Sequence, residues 1–139
     1  IVLIVHEEDE IQKFLDKRNL KIFEDYEKGD AVSISQTRLV NVVPEREGID
    51  GKKFIELASE KGAATGGIRQ ALYDRAHADE IPKEEWGLVR VYTQTVLRHR
   101  GSGNLCVLVL YRRAGEWDLG FYWLDGDFVS SDRAVGRCE

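Results

Sequence analysis

The sequence predicts an α+β domain: a mainly antiparallel sheet with a C-terminal four-strand meander, packed by about three helices. Three observations predict it. The last third of the chain holds four short β-rich runs, LVRVYTQTVLRH, LCVLVLY, EWDLGFYWL and DFVSS, separated by RGSGN, RRAG and DGD. Each separator is of hairpin length and carries glycine where positive φ is wanted. Two segments, 50–61 and 66–77, show apolar residues at helical spacing. The 139 residues, 42% hydrophobic, fit one domain spanning 1–139. Such a chain buries roughly two thirds of its unfolded surface and needs no metal or disulfide staple.

Taken in order, IVLIV (1–5) is β-branched and apolar on both parities, the pattern of a strand buried on both faces. The next segment predicts a helix over 7–18, with Ile11, Phe14, Leu15 and Arg18 at helical spacing and acids crowding its first turn. LKIFEDY (20–26) alternates as a strand, and EKGD turns the chain. AVSISQTRLVNVV (31–43) reads as extended, broken near Gln36–Arg38 and closed by Pro44 and Gly48. The helix over 50–61 has Asp50 as N-cap, an Ile49–Phe54 staple and Gly62 just past its end. In the helix over 66–77, Ile68, Ala71, Leu72 and Arg75 form a stripe, and Pro82 opens a short turn. All three helices are expected on one side of the sheet.

Within the meander, a turn through RRAGE pairs Tyr111 with Trp117, Val109 with Leu119 and Val107 with Phe121. Trp117, Leu119, Phe121 and Trp123 then join Val89, Val91 and Leu97 in a core wall. The opposite face carries Tyr92, Val96, Leu108, Leu110, Tyr122 and Leu124 amid Arg90, Arg98 and Asp118. It is too apolar for a solvated sheet. A homodimer through these six residues is the expected partner; cover by another element of the same chain, or by a ligand, is the alternative.

The charge balance is 20 − 25 = −5, with a pI near 5.3. That argues against a dedicated nucleic-acid binder, whose affinity rests on a cationic face. No apolar run approaches the ~20 residues of a membrane span. Ile1–Val5 is too short, and lacks the basic lead, for a secretion signal. Cys106 lies in an apolar run and reads as a buried free thiol; Cys138 stands far from it beside the terminus. Cytoplasmic residence is the resulting expectation.

The glycines of KGAATGGIRQ precede a helix start, where free N–H groups and the dipole favour anions. Thr65, Gly66, Gly67 and Arg69, with Arg90, Arg112 and Arg113 at one sheet end, are the candidate anion-binding residues. Against this, a P-loop needs a lysine and a preceding strand, and this segment has neither. A tight helix–helix connection is the favoured reading. Consecutive acids in HEEDE diverge around a helix, and His77 and His99 lack partners at zinc-like spacing. His77-Ala-Asp lacks the later P-C-x-x-C of zinc deaminases, and no G-x-S-x-G exists. No catalytic residue, metal or cofactor is therefore assigned. The expected function is a small soluble non-catalytic interaction or ligand-binding module, self-associating through a sheet face. The alternative is an enzyme or binder acting on a phosphorylated or nucleotide ligand.

Overall fold

A computed structural model describes residues 2–62 and 65–138, with side chains from residue 8 onward. Chain order is α1 (Val2–Lys17), β1 (Leu20–Asp25), β2 (Thr37–Asn41), β3 (Ile49–Asp50), α2 (Gly51–Glu60), α3 (Ile68–Ala76), β4 (Val89–His99), β5 (Leu105–Arg113), β6 (Glu116–Trp123), β7 (Asp127–Phe128) and β8 (Asp132–Arg137). Among the described residues, three α-helices and two sheets make the fold α+β. The larger sheet is mixed: β2-β8-β4-β5-β6 run in that order, and β1 also pairs with β4.

The expected helix over 50–61 forms as α2, and its caps explain its ends. The Asp50 side chain accepts from the Lys53 amide at 2.8 Å, and Gly62 takes φ +67° just past the last turn. Phe54 and Ala58 are fully buried, and Phe54 stacks against Phe128 at 4.9 Å. Burying a phenyl side chain fully stabilises by roughly 1.5–3 kcal/mol. The N-terminal expectation changes: residues 2–5 are not a strand but the opening of α1, so the acids of HEEDE lie within the helix. Nothing between Val5 and Ile11 breaks a helix, and a short apolar run cannot be told from helix by periodicity alone.

The meander covers three strands, β4 to β6, and is followed by a departure. After β6 the chain crosses to pair β7 with β3 in a separate two-stranded sheet. Asp132 then turns it, accepting from the Val129 amide at 2.8 Å. The chain returns as β8, parallel to β4 along Val89–Val91 and antiparallel to β2.

Two local features set which side chains face which way. The β5–β6 hairpin closes on two residues, Ala114 (φ +52°) and Gly115 (φ +82°), with Arg113 opposite Glu116. Leu110 therefore meets Leu119 and Leu108 meets Phe121, one residue from the expected register. A one-residue slip moves every side chain of a strand to the other face. In β4, Tyr92 pairs with Leu108 but Val96 pairs with Val107, so Thr93–Thr95 stand outside the ladder with β5. The three extra residues invert the alternation, placing Val96 with Val91 and Leu97 with Tyr92.

The sheet is consequently a middle layer. Ile11, Phe14, Ile68 and Ala71 of α1 and α3 pack on Tyr92, Leu108 and Leu110. Phe54 and Ala58 of α2, with Phe128, pack on Val91, Val107 and Val109 of the opposite face. The helices do not share one side. The six residues expected to form one dimer face are split: Tyr92, Leu108 and Leu110 are 0% exposed beneath the helices of their own chain, and Val96, Tyr122 and Leu124 belong to the other core. Their apolar character is accounted for by burial on both faces of a central sheet.

Candidate functional site

β1 and β8 share one edge of β4, β1 along Thr95–His99 and β8 along Val89–Val91. Between them the edge is split at the bulge. The Gln94 amide donates to the Gly66 carbonyl at 3.0 Å, and the Gln94 carbonyl accepts from the Tyr26 amide at 2.7 Å. Two loops, one after β1 and one before α3, are thereby threaded into the split. The polar run TQT between VRVY and VLRH is the sequence trace of this feature.

The start of α3 does hold an anion, and the anion is internal. The Glu27 carboxylate accepts from the amides of Gly67 (2.7 Å), Arg69 (2.8 Å) and Gln70 (3.0 Å), and its side chain is fully buried. Ile68 donates instead to Thr95 Oγ1 at 2.9 Å, and that hydroxyl donates to Asp25. Arg69 reaches Asp25, Glu27 and Glu8 at 3.2–3.5 Å. A Cβ on Gly67 would run into Thr95 Oγ1 and come within 2.9 Å of Glu27 Cβ, so glycine is required here for space.

The other expected anion-binding residues lie elsewhere. Arg90 is 0% exposed and bonds Asp74 (3.1 Å), Glu85 (3.0 Å) and Thr37 (2.9 Å). Tyr92 donates to the same Asp74 oxygen at 2.7 Å. Burial pushes the Tyr92 phenol well above its ordinary range, with the Asp74 charge adding to it. Gln70 completes this buried cluster, donating to Asp74 and to the Val32 carbonyl, both at 2.8 Å. Arg112 stacks on Trp86, 3.9 Å from the ring centroid, and Arg113 is exposed opposite Glu116 at the hairpin. Gly66, Gly67 and Arg69 at the α3 start, Arg90 in the buried cluster, Arg112 and Arg113 by the β5–β6 hairpin, and Thr65 beside Arg137 thus do not form one site.

What the structure does bring together is a pair of adjoining spaces beside the bulge. A cleft of about 530 Å³ runs between β1 and α2, with Phe23, Ile55, Val96 and Leu105 as apolar walls. Phe23 stands outside the β1–β4 register, which shifts between Ile22 and Glu24, and it remains 41% exposed. Thr93 is 1% exposed in the cleft lining, and its hydroxyl has no partner among the described residues. A smaller cavity of about 240 Å³ shares Tyr26, Lys28 and Gln94 with the cleft and adds Thr65 and Arg137. Among the described residues, the charged groups along both spaces are Lys28, Lys52 and Arg137 against Glu24, in a chain of net charge −5. Glu24 accepts from the Tyr26 hydroxyl, and this bond is the main cause raising the Tyr26 phenol above its ordinary value. Of these, Thr65 was singled out by sequence as an anion ligand and Val96 as part of the expected dimer face. Lys28, Arg137 and Phe23 have no local motif, because they converge from separate elements.

A scan of the chain against protein-family models finds no match, and neither curated proteins nor solved structures yield one. Among the described residues no helix is long and apolar enough to cross a membrane, and no three His, Cys, Asp or Glu side chains are grouped to hold a metal.

Proposed function

We propose that the protein is a small-ligand-binding module whose ligand lies in the cleft between β1 and α2. One observation carries this reading: the cleft is apolar-walled, yet its lining holds the buried, partnerless Thr93 hydroxyl. Buried hydroxyls are normally hydrogen-bonded, so a solitary one in a cleft lining is explained by a visiting partner. Ligand sites combine apolar walls with a few such polar groups, in volumes of roughly 300–1,000 Å³. Phe23 (41% exposed) and Tyr26 (56% exposed) at the rim give a planar apolar body a surface to lie on. Titration calorimetry with 2-naphthol, a neutral aromatic probe, tests this. Saturable binding that is lost in Ile55→Trp, which fills the cleft from the half-buried face of α2, supports the reading. Binding unaffected by Ile55→Trp removes it.

A second reading, an enzyme or binder for a phosphorylated or nucleotide ligand, is favoured by Lys28 and Lys52 on the same lining. It requires affinity for a nucleoside monophosphate that disappears in the Lys28→Ala, Lys52→Ala double variant.

A further inference from the structure

Arg137 ends β8 with an unusual division of its guanidinium. Nη1 donates to the Lys28 carbonyl at 2.7 Å. Nε and Nη2 are buried and have no partner among the described residues. Those two nitrogens form the edge of the guanidinium whose N–H bonds run parallel, the edge that grips both oxygens of a carboxylate or phosphate. Thr65, another residue lining the same small cavity, has an Oγ1 that is likewise buried and without a partner among the described residues, and Lys28 also lines that cavity. Leaving a guanidinium edge buried and unbonded is costly, and among the described residues no carboxylate lines this cavity.

We propose that this cavity is an oxyanion site, and that the ligand of the adjoining cleft is a small molecule with an apolar body and a carboxylate or phosphate end. The inference rests on the cleft reading for the body of the ligand, while the anion site stands on Arg137 and Thr65. The two spaces share Tyr26, Lys28 and Gln94, so one molecule can occupy both. The bidentate Arg137 edge fixes the orientation, Thr65 donates a third hydrogen bond, and Lys28 supplies charge. The site differs from the α3 start, whose amides already hold Glu27.

The experiment compares 2-naphthoate and 2-naphthyl phosphate with neutral 2-naphthol, and follows the Arg137 Nε–H resonance by NMR. An anionic probe is expected to bind about tenfold or more tightly than 2-naphthol, the size of one charge-assisted bidentate pair. The Nε–H resonance should move saturably with it. Arg137→Lys keeps the charge but lacks the parallel edge, and it should erase most of the advantage of the anionic probes over 2-naphthol. The tighter of the two anions identifies carboxylate or phosphate as the natural end group. Equal affinity for charged and neutral probes, or an Nε–H resonance unmoved by both anions, overturns the inference. Inorganic phosphate alone provides a separate arm: if it shifts Arg137 Nε–H while 2-naphthol fails to bind, the cleft reading falls and the anion site stands.

Discussion

Glu27 Oε2 lies 2.7 Å from the Gly67 amide, and this contact closes the N-terminus of α3 with a residue 40 positions earlier in the chain. Three amides share that carboxylate. Glu27→Ala leaves them without an acceptor in a part-buried setting and is expected to cost about 2–3 kcal/mol, more than an exposed cap. Urea denaturation measures it. A loss below about 0.5 kcal/mol, the range of ordinary surface substitutions, would show that solvent replaces the carboxylate easily.

Arg90 and Asp74, 1% and 0% exposed at their side chains, should behave asymmetrically. Asp74→Ala strands a buried guanidinium and is expected to cost about 3–5 kcal/mol, moderated by the remaining Glu85 contact. Replacing both, Asp74→Leu with Arg90→Met, should cost clearly less than Asp74→Ala. Equal losses for the single and double variants would contradict a coupled buried pair.

Alkaline stability should depend on Tyr92. Its phenol is raised by burial first and by Asp74 second, so the folded state keeps a proton that the unfolded chain releases near its ordinary value of 10.0. The sign follows: this stabilisation is complete below pH 10 and is lost as pH rises through the folded value, by about 1.4 kcal/mol per pH unit. Tyr122, also raised by burial, adds to the same slope. Urea midpoints taken from pH 9 upward should fall less steeply in Tyr92→Phe than in wild type. Parallel curves would argue against it.

The two thiols should react very differently. Burial pushes Cys106 up to about 12, whereas Cys138 is exposed. At pH 8 only about one Cys106 in ten thousand is thiolate. Alkylation of native protein should therefore label one cysteine, confirmed as Cys138 by mass spectrometry, with the second labelled only in denaturant. Rapid native labelling of both would mean that the sheet opens locally.

Leu110→Glu places a carboxylate where the side chain is 0% exposed beneath α3. The expected outcome is an unfolded chain by circular dichroism, since an unpaired buried charge exceeds what a small domain's stability tolerates. A folded variant with a reduced sedimentation coefficient would instead restore the dimer face expected from sequence.

Sequence by itself determined what local physics controls. Asp50 and Gly62 mark α2 because capping is a property of a few adjacent residues. The turn signals of the last third located β4, β5 and β6 for the same reason, and Cys106 was recognised as buried from its apolar neighbours. Tertiary structure decided everything that depends on register or on long-range partners. A two-residue turn at Ala114–Gly115, rather than a longer one, exchanged the faces of β6. The bulge at Thr93–Thr95 exchanged those of β4 halfway along, because a period of two carries any odd insertion to every later residue. β8 joined β4 through a parallel pairing that no local pattern announces. The glycines before α3 read from sequence as a tight connection with an anion site as the lesser alternative, and only the fold could bring Glu27 to those amides. The unpaired edge of Arg137 likewise exists only because the fold leads the chain past Lys28 and Thr65 and, among the described residues, places no acceptor opposite it.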